Sequence, residues 1–154
     1  MTLTVRSPAW MPGASIPVKY TADGENLSPP LAFDGIPAGT ASLALVCEDP
    51  DAPLVTFVHW VVYDIPEGAT GLAEGIPPDP TLPNGSHQGR NGWKKFGYGG
   101  PSPPGHKPHR YVFRLYAVRE GPISEPGRSA KELRRALEGR VLESAEYVGT
   151  YGRT

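Results

Sequence analysis

Three short apolar runs constrain what this chain can fold into: SLALVC at 42–47, FVHWVVYDI at 57–65 and YVFRLYAV at 111–118. Each is short for a buried helix, rich in Val, Leu or aromatic side chains, and fenced by Pro, Gly or Asp. Strands are therefore predicted over 43–48, 56–65 and 110–119. The last is apolar on both faces, which places it inside a sheet. Residues 2–6 alternate as a further short strand, and 31–33 fit another. Between these runs lie most of the nineteen glycines and nineteen prolines. That content approaches low-complexity levels. Yet four Phe, three Trp and seven Tyr are spread along the chain, a buried payload that disordered segments lack. Rigid turns joining strands are the better reading.

One helix is expected, starting near Ser129. Ser129 and Glu132 have capping-box spacing, and Leu133, Ala136, Leu137 and Val141 form an apolar stripe. The closing SAEYVGTYGRT reads either as more helix, with Tyr147 and Tyr151 four apart, or as a strand; Gly149 weakens the helix. Residues 66–109 show only broken structure, and a connection that long commonly holds a functional site. No repeat, heptad or linker divides residues 1–154, so one domain is expected, mainly β with a C-terminal helix.

Charge narrows the function classes. The formal net charge is -1, so the basic field of a general nucleic-acid binder is lacking. The local stretch WKKFGYGG…GHKPHR is positive and suits a small anion. Cys47 is the only cysteine, which excludes an internal disulfide framework. Met1 runs into TLTVRSPAW without a charged start and apolar core, so the expectation is no signal peptide, no transmembrane segment and a cytoplasmic location.

The residues with chemistry gather in two stretches, EDPDAPLVTFVHW and GYGGPSPPGHKPHRY. His109 and Tyr111 are two apart in a predicted strand and share a face, with Arg110 on the other. By the same alternation His59 shares a face with Phe57, Val61 and Tyr63. Asp49 and Asp51 leave the preceding strand, where a carboxylate either caps a turn or serves a site. If the three strands share a sheet, the ends bearing Asp49, His59 and His109 converge. The result is a cavity with two imidazoles, a phenol and a carboxylate, suited to phosphate or carboxylate oxygens. The glycines of GYGG permit close backbone approach, and Pro101, Pro103 and Pro104 make a stiff apolar wall.

Other chemistries fit less well. His59, His106, His109 and Asp49 lack the short spacing of a zinc site. Ser86 or Ser102 could complete a serine–histidine–aspartate set, but no nucleophile-elbow motif is present. GYGG lacks the lysine and helix of a phosphate-binding P-loop. Lys94 and Lys95 read as a solvated loop face, and Trp10 and Trp93 as packing anchors.

Taken together, Asp49-Pro50-Asp51-Ala52-Pro53, the histidine of HWVVYDIP, GRN at 89–91 and GYGGPSPPG…HRY resemble the phosphatidylethanolamine-binding proteins, in their short bacterial and archaeal Raf-kinase-inhibitor-like branch. The resemblance covers nearly the whole chain, including the ending LEGRVLESAEYVGTY. It implies an antiparallel β-sandwich with Greek-key connectivity and peripheral helices. It also implies an anion pocket centred on Asp49, His59, His109 and Tyr111, with Asp51 and Pro53 at the rim and Gly99, Gly100 and Pro101 on the other wall. The implied role is non-catalytic binding of a small phosphorylated or carboxylated ligand, without a cofactor or metal, in a chain that can form a homodimer. The alternatives are a protein-interaction module inhibiting a protease or other enzyme, and a weak ester hydrolase using Asp49 and His59. Ser102 stands where many relatives carry cysteine, which removes any redox role there. His106 adds a charge at the rim, and the longer termini of eukaryotic relatives are lacking.

Overall fold

The computed structural model describes residues 2–123 and 125–153. The apolar runs become β3 (Ser42–Asp49), β4 (Phe57–Pro66) and β7 (His109–Val118), each within one or two residues of the pattern-based bounds. Around them lie β1 (Thr4–Arg6), β2 (Leu31–Asp34), β5 (Gly71–Leu72), β6 (His87–Gln88), α1 (Ala130–Leu137) and β8 (Val141–Tyr151). The strands form a three-stranded sheet ordered β1-β2-β5 and a five-stranded sheet ordered β6-β4-β3-β7-β8. All pairings between these strands are antiparallel. After the β3–β4 hairpin a long connection returns the chain to the far side of β3, a Greek-key type of return.

Every residue of β3 is buried because both of its faces are covered. On one face Leu43, Leu45 and Cys47 join Trp60, Val62, Phe113 and Leu115 against Leu3, Val5, Leu31 and Phe33 of the smaller sheet. On the other, Ala44, Val46, Val61 and Tyr63 pack under Leu133 and Leu137 of α1. Each large side chain removed from water in this way contributes about 1.5–3 kcal/mol. Glu48 reaches the helical layer, where it accepts from Arg114 and from both terminal nitrogens of Arg134, so a buried carboxylate ties α1 to the sheet.

The capping box at Ser129 and Glu132 is formed as the spacing predicts. The apolar stripe is shorter than expected. Gly139 adopts a left-handed φ of 75°, the helix stops at Leu137, and Val141 is an exposed residue opening β8. The ending is therefore a strand. Tyr147, Gly149 and Tyr151 alternate onto its buried side, and a Cβ at Gly149 would lie 2.5 Å from Ile16 and 2.6 Å from Trp10. Trp10 is the anticipated packing anchor, with ring centroids 5.7 Å from both Phe113 and Tyr147. Among the described residues no helix is long and apolar enough to cross a membrane.

Candidate functional site

Antiparallel pairing brings three strand ends to one place. Asp49 closes β3 opposite Phe57, the first residue of β4, while His109 opens β7 on the other flank of β3. The Asp49 carboxylate does two jobs there. One oxygen accepts from the Asp51 backbone N–H at 2.8 Å, closing the turn. The other accepts from His109 Nδ1 at 2.6 Å. Because a carboxylate only accepts, the proton sits on His109 Nδ1 and Nε2 is left for a ligand.

His59 reaches the site through a β-bulge. Cys47 pairs with Trp60 and Glu48 with Val58, which leaves His59 as the extra residue of β4. Simple alternation would put His59 on the helical side with Val61 and Tyr63. The bulge turns it onto the face of Tyr111, with ring centroids 5.2 Å apart, as bulges commonly re-aim one side chain. Its Nδ1 donates to the Gly99 carbonyl at 2.7 Å, and Gly99 N–H donates back to the His59 carbonyl at 3.0 Å. This reciprocal pair pins the glycine loop to β4. Burial lowers the His59 pKa from its ordinary value by penalising the charged ring, so the apo ring is neutral at pH 7 and carries its lone pair on Nε2.

These groups surround a cavity of about 230 Å³, roughly eight waters' share of liquid volume. Its polar floor is Asp49, His59, His109 and Tyr111, and its walls are mainly Pro53, Phe57, Trp93, Pro103 and Pro104. The Tyr111 hydroxyl is buried without a hydrogen-bond partner, and burial raises its pKa well above the usual phenol value. The ionisable groups gather at one end of the cavity, and Ser102 is the one polar residue among the remaining walls.

The sequence-derived residues divide into two groups. Asp49, Pro53, His59, His109 and Tyr111 line the cavity; Asp51, Gly99, Gly100 and Pro101 do not. Asp51 faces outward, where Arg110 grips it through Nε at 3.0 Å and Nη2 at 2.8 Å. That contact and a backbone N–H from Arg110 hold its pKa down to about 2. Gly99 contributes its carbonyl to His59, Gly100 donates to Asn26 at 2.8 Å, and the Pro101 carbonyl accepts from Ala22 at 3.0 Å. All three position the wall from behind.

Phe57 and Trp93 also line the cavity; the sequence pattern puts Phe57 on the His59 face and reads Trp93 as packing, and assigns neither to the site. Their rings meet edge-on at 4.7 Å, and Trp93 stands 5.4 Å from His59. Trp93 is 44% exposed, a cavity wall rather than a packing anchor. A Cβ on Gly99 would lie 2.3 Å from its ring, so a neighbouring glycine was the available signal. Ser86 is buried away from the cavity. Ser102 lines it, but its Oγ accepts from Arg153 Nη2 at 3.1 Å. No group of three His, Cys, Asp or Glu among the described residues could hold a metal.

Comparison with known proteins agrees with this architecture. The model of the family described as phosphatidylethanolamine-binding protein matches residues 6–152. A UPF0098 protein of Methanothermobacter thermautotrophicus is 46% identical over 151 residues, 98% of this chain and 99% of the relative. The crystal structure of E. coli YbcL, described as a new member of the mammalian PEBP family, superposes with a TM-score of 0.91 at 32% identity, covering 100% of both chains. A phosphatidylethanolamine-binding protein homolog from Chlamydia trachomatis gives a TM-score of 0.91 at 34% identity, covering 99% of each chain. With a family match over almost its full length and the same sandwich in two relatives, this chain belongs to the phosphatidylethanolamine-binding protein family.

Proposed function

We propose that this chain binds a small phosphorylated or carboxylated ligand in the cavity bounded by Asp49, His59, Trp93 and His109, and holds it without turnover. The pairing of His59 and His109 carries the reading. Each ring commits Nδ1 to an acceptor inside the protein, leaving two Nε2 atoms on one cavity. A neutral imidazole so placed offers a lone pair, and a charged one offers an N–H donor. An anion favours the charged form, so binding is coupled to proton uptake. At about 230 Å³ the cavity is smaller than the roughly 300–1,000 Å³ of drug-sized sites, which suits a head group or a free phosphate ester.

Binding without turnover is supported by Ser102. Its hydroxyl oxygen is held by Arg153 and has no hydrogen bond to either imidazole, whereas an activated serine needs its base alongside. Calorimetric titration with phosphorylethanolamine at pH 6.5 tests the site. His59→Gln and His109→Gln are each expected to weaken binding by about tenfold or more while the β-sheet circular dichroism is retained. Unchanged affinity in both variants would remove the proposal.

One observation favours a protein-interaction role as a second reading. Leu54 and Val55 are exposed next to Pro53 of the cavity wall. A Leu54→Asp, Val55→Asp double variant that keeps ligand affinity but loses a protein complex would support this role.

A further inference from the structure

A second cavity, about 430 Å³, lies against the first and shares Trp93 and Ser102 with it. No acidic residue lines it, and its polar wall presents Asn26, Lys95 and Ser102. The Asn26 amide and the Lys95 backbone are each held in place. The Asn26 amide oxygen accepts from Gly100 N–H at 2.8 Å, which fixes the amide orientation and leaves its NH2 as a donor. Lys95 sits on a turn closed by Asn91. Asn91 N–H donates to the Lys95 carbonyl at 2.9 Å, and the Asn91 side-chain oxygen accepts from Lys95 N–H at 3.2 Å. Asn91 is itself buried and anchored to the Gly97 carbonyl at 3.0 Å. The Lys95 ammonium forms no ion pair among the described residues.

Ser102 occupies the seam between the two cavities. Its oxygen accepts from Arg153, whose guanidinium also donates to the Pro103 carbonyl at 3.0 Å and grips Asp23 through Nε and Nη2. With the oxygen so engaged, the hydroxyl proton is free to donate to a ligand oxygen crossing the seam. Asp23, the acidic residue beside Ala22 of this wall, is consumed by Arg153 and Tyr151. The wall therefore offers donors and a cation without a competing carboxylate.

We infer that the second cavity is a subsite for a second anionic group, so that the ligand class is a phosphate monoester carrying a carboxylate a few bonds away. The phosphate faces His59 and His109, and the carboxylate crosses Ser102 to Asn26 and Lys95. This rests on the anion reading of the first cavity, and the experiment keeps the two apart. Inorganic phosphate whose affinity falls in His109→Gln reports the first cavity. The series phosphoglycolate, 3-phosphoglycerate and 4-phosphoerythronate, each against the matching alkyl phosphate without a carboxylate, reports the second.

At least one acid of the series is expected to bind about five- to tenfold more tightly than its carboxylate-free counterpart. Lys95→Gln should abolish that advantage without changing the affinity for inorganic phosphate, and Ser102→Ala should reduce it. Phosphate binding with no carboxylate advantage, or an advantage that survives Lys95→Gln, overturns the subsite while leaving the first site intact. Absence of phosphate binding overturns both.

Discussion

Replacing Tyr111 by Phe should make the apo protein more stable, against the usual direction for a core substitution. The Tyr111 hydroxyl has no hydrogen-bond partner within the protein, and a buried polar group left unsatisfied costs about 1–3 kcal/mol. Phe keeps the ring, its packing and the 5.2 Å contact with His59, so no cavity is created. A gain of about 1 kcal/mol is expected, raising Tm by about 3 °C for a chain of this size. Tyr98→Phe provides the opposite sign from the same chemistry. The Tyr98 hydroxyl donates to the Tyr20 carbonyl at 2.7 Å, so its removal should cost about 1 kcal/mol. Urea unfolding in a buffer without phosphate, followed by tryptophan fluorescence, measures both variants by linear extrapolation. In the same preparations Tyr111→Phe should weaken phosphorylethanolamine binding by about three- to tenfold, the exchange of stability for function expected at a binding site. Loss of 1 kcal/mol or more in apo Tyr111→Phe would show that the hydroxyl is satisfied, and the reasoning would fail.

Three further outcomes concern pH. Burial depresses the His59 pKa below its ordinary 6.5, so its contribution to apo stability is fully present above pH 6.5 and is lost as pH falls below that value. An anion reverses the preference. Affinity for a phosphate monoester should therefore rise as pH falls from 8 toward about 6, where protonation of the ligand begins to compete. Calorimetry in buffers of differing ionisation enthalpy should report net proton uptake; proton release would contradict the assignment. Asp51, held at about 2 by Arg110, contributes stability that is present above pH 3.8 and lost as pH falls toward 2. Because the pair is solvent-exposed, Asp51→Asn should cost only roughly 0.5–1 kcal/mol, less in high salt, with ligand affinity nearly unchanged.

Much of the frame is legible in local sequence because its causes are local. The fenced apolar runs could hardly form anything but short strands, and Ser129 with Glu132 specifies a helix start from two side chains and two backbone groups. The sequence also brings together the two histidines, the aspartate and the tyrosine that line the first cavity, two of them because period-two alternation puts His109 and Tyr111 on one face. The limits of local pattern show at His59, Trp93 and the ending. Alternation groups His59 rightly with Phe57 but wrongly with Val61 and Tyr63, since a bulge depends on register with a partner strand and leaves no mark in the strand that carries it. The 141–151 segment became a strand because Gly149 leaves room for Trp10 and Ile16, residues more than a hundred positions away.

Local sequence suffices for β1, β2, the three central strands, the start of the helix and the chemical groups at the strand ends, while β5, β6 and the strand character of β8 depend on their partners. Tertiary structure alone decided how those groups are used. It turned Asp51 outward to Arg110 and made Gly99 the acceptor that sets the His59 tautomer. It also stood Trp93 in the cavity wall and laid a second cavity, free of carboxylates, across the Ser102 seam. These outcomes rest on hydrogen bonds and ring contacts between residues tens of positions apart, which only the folded chain brings within reach.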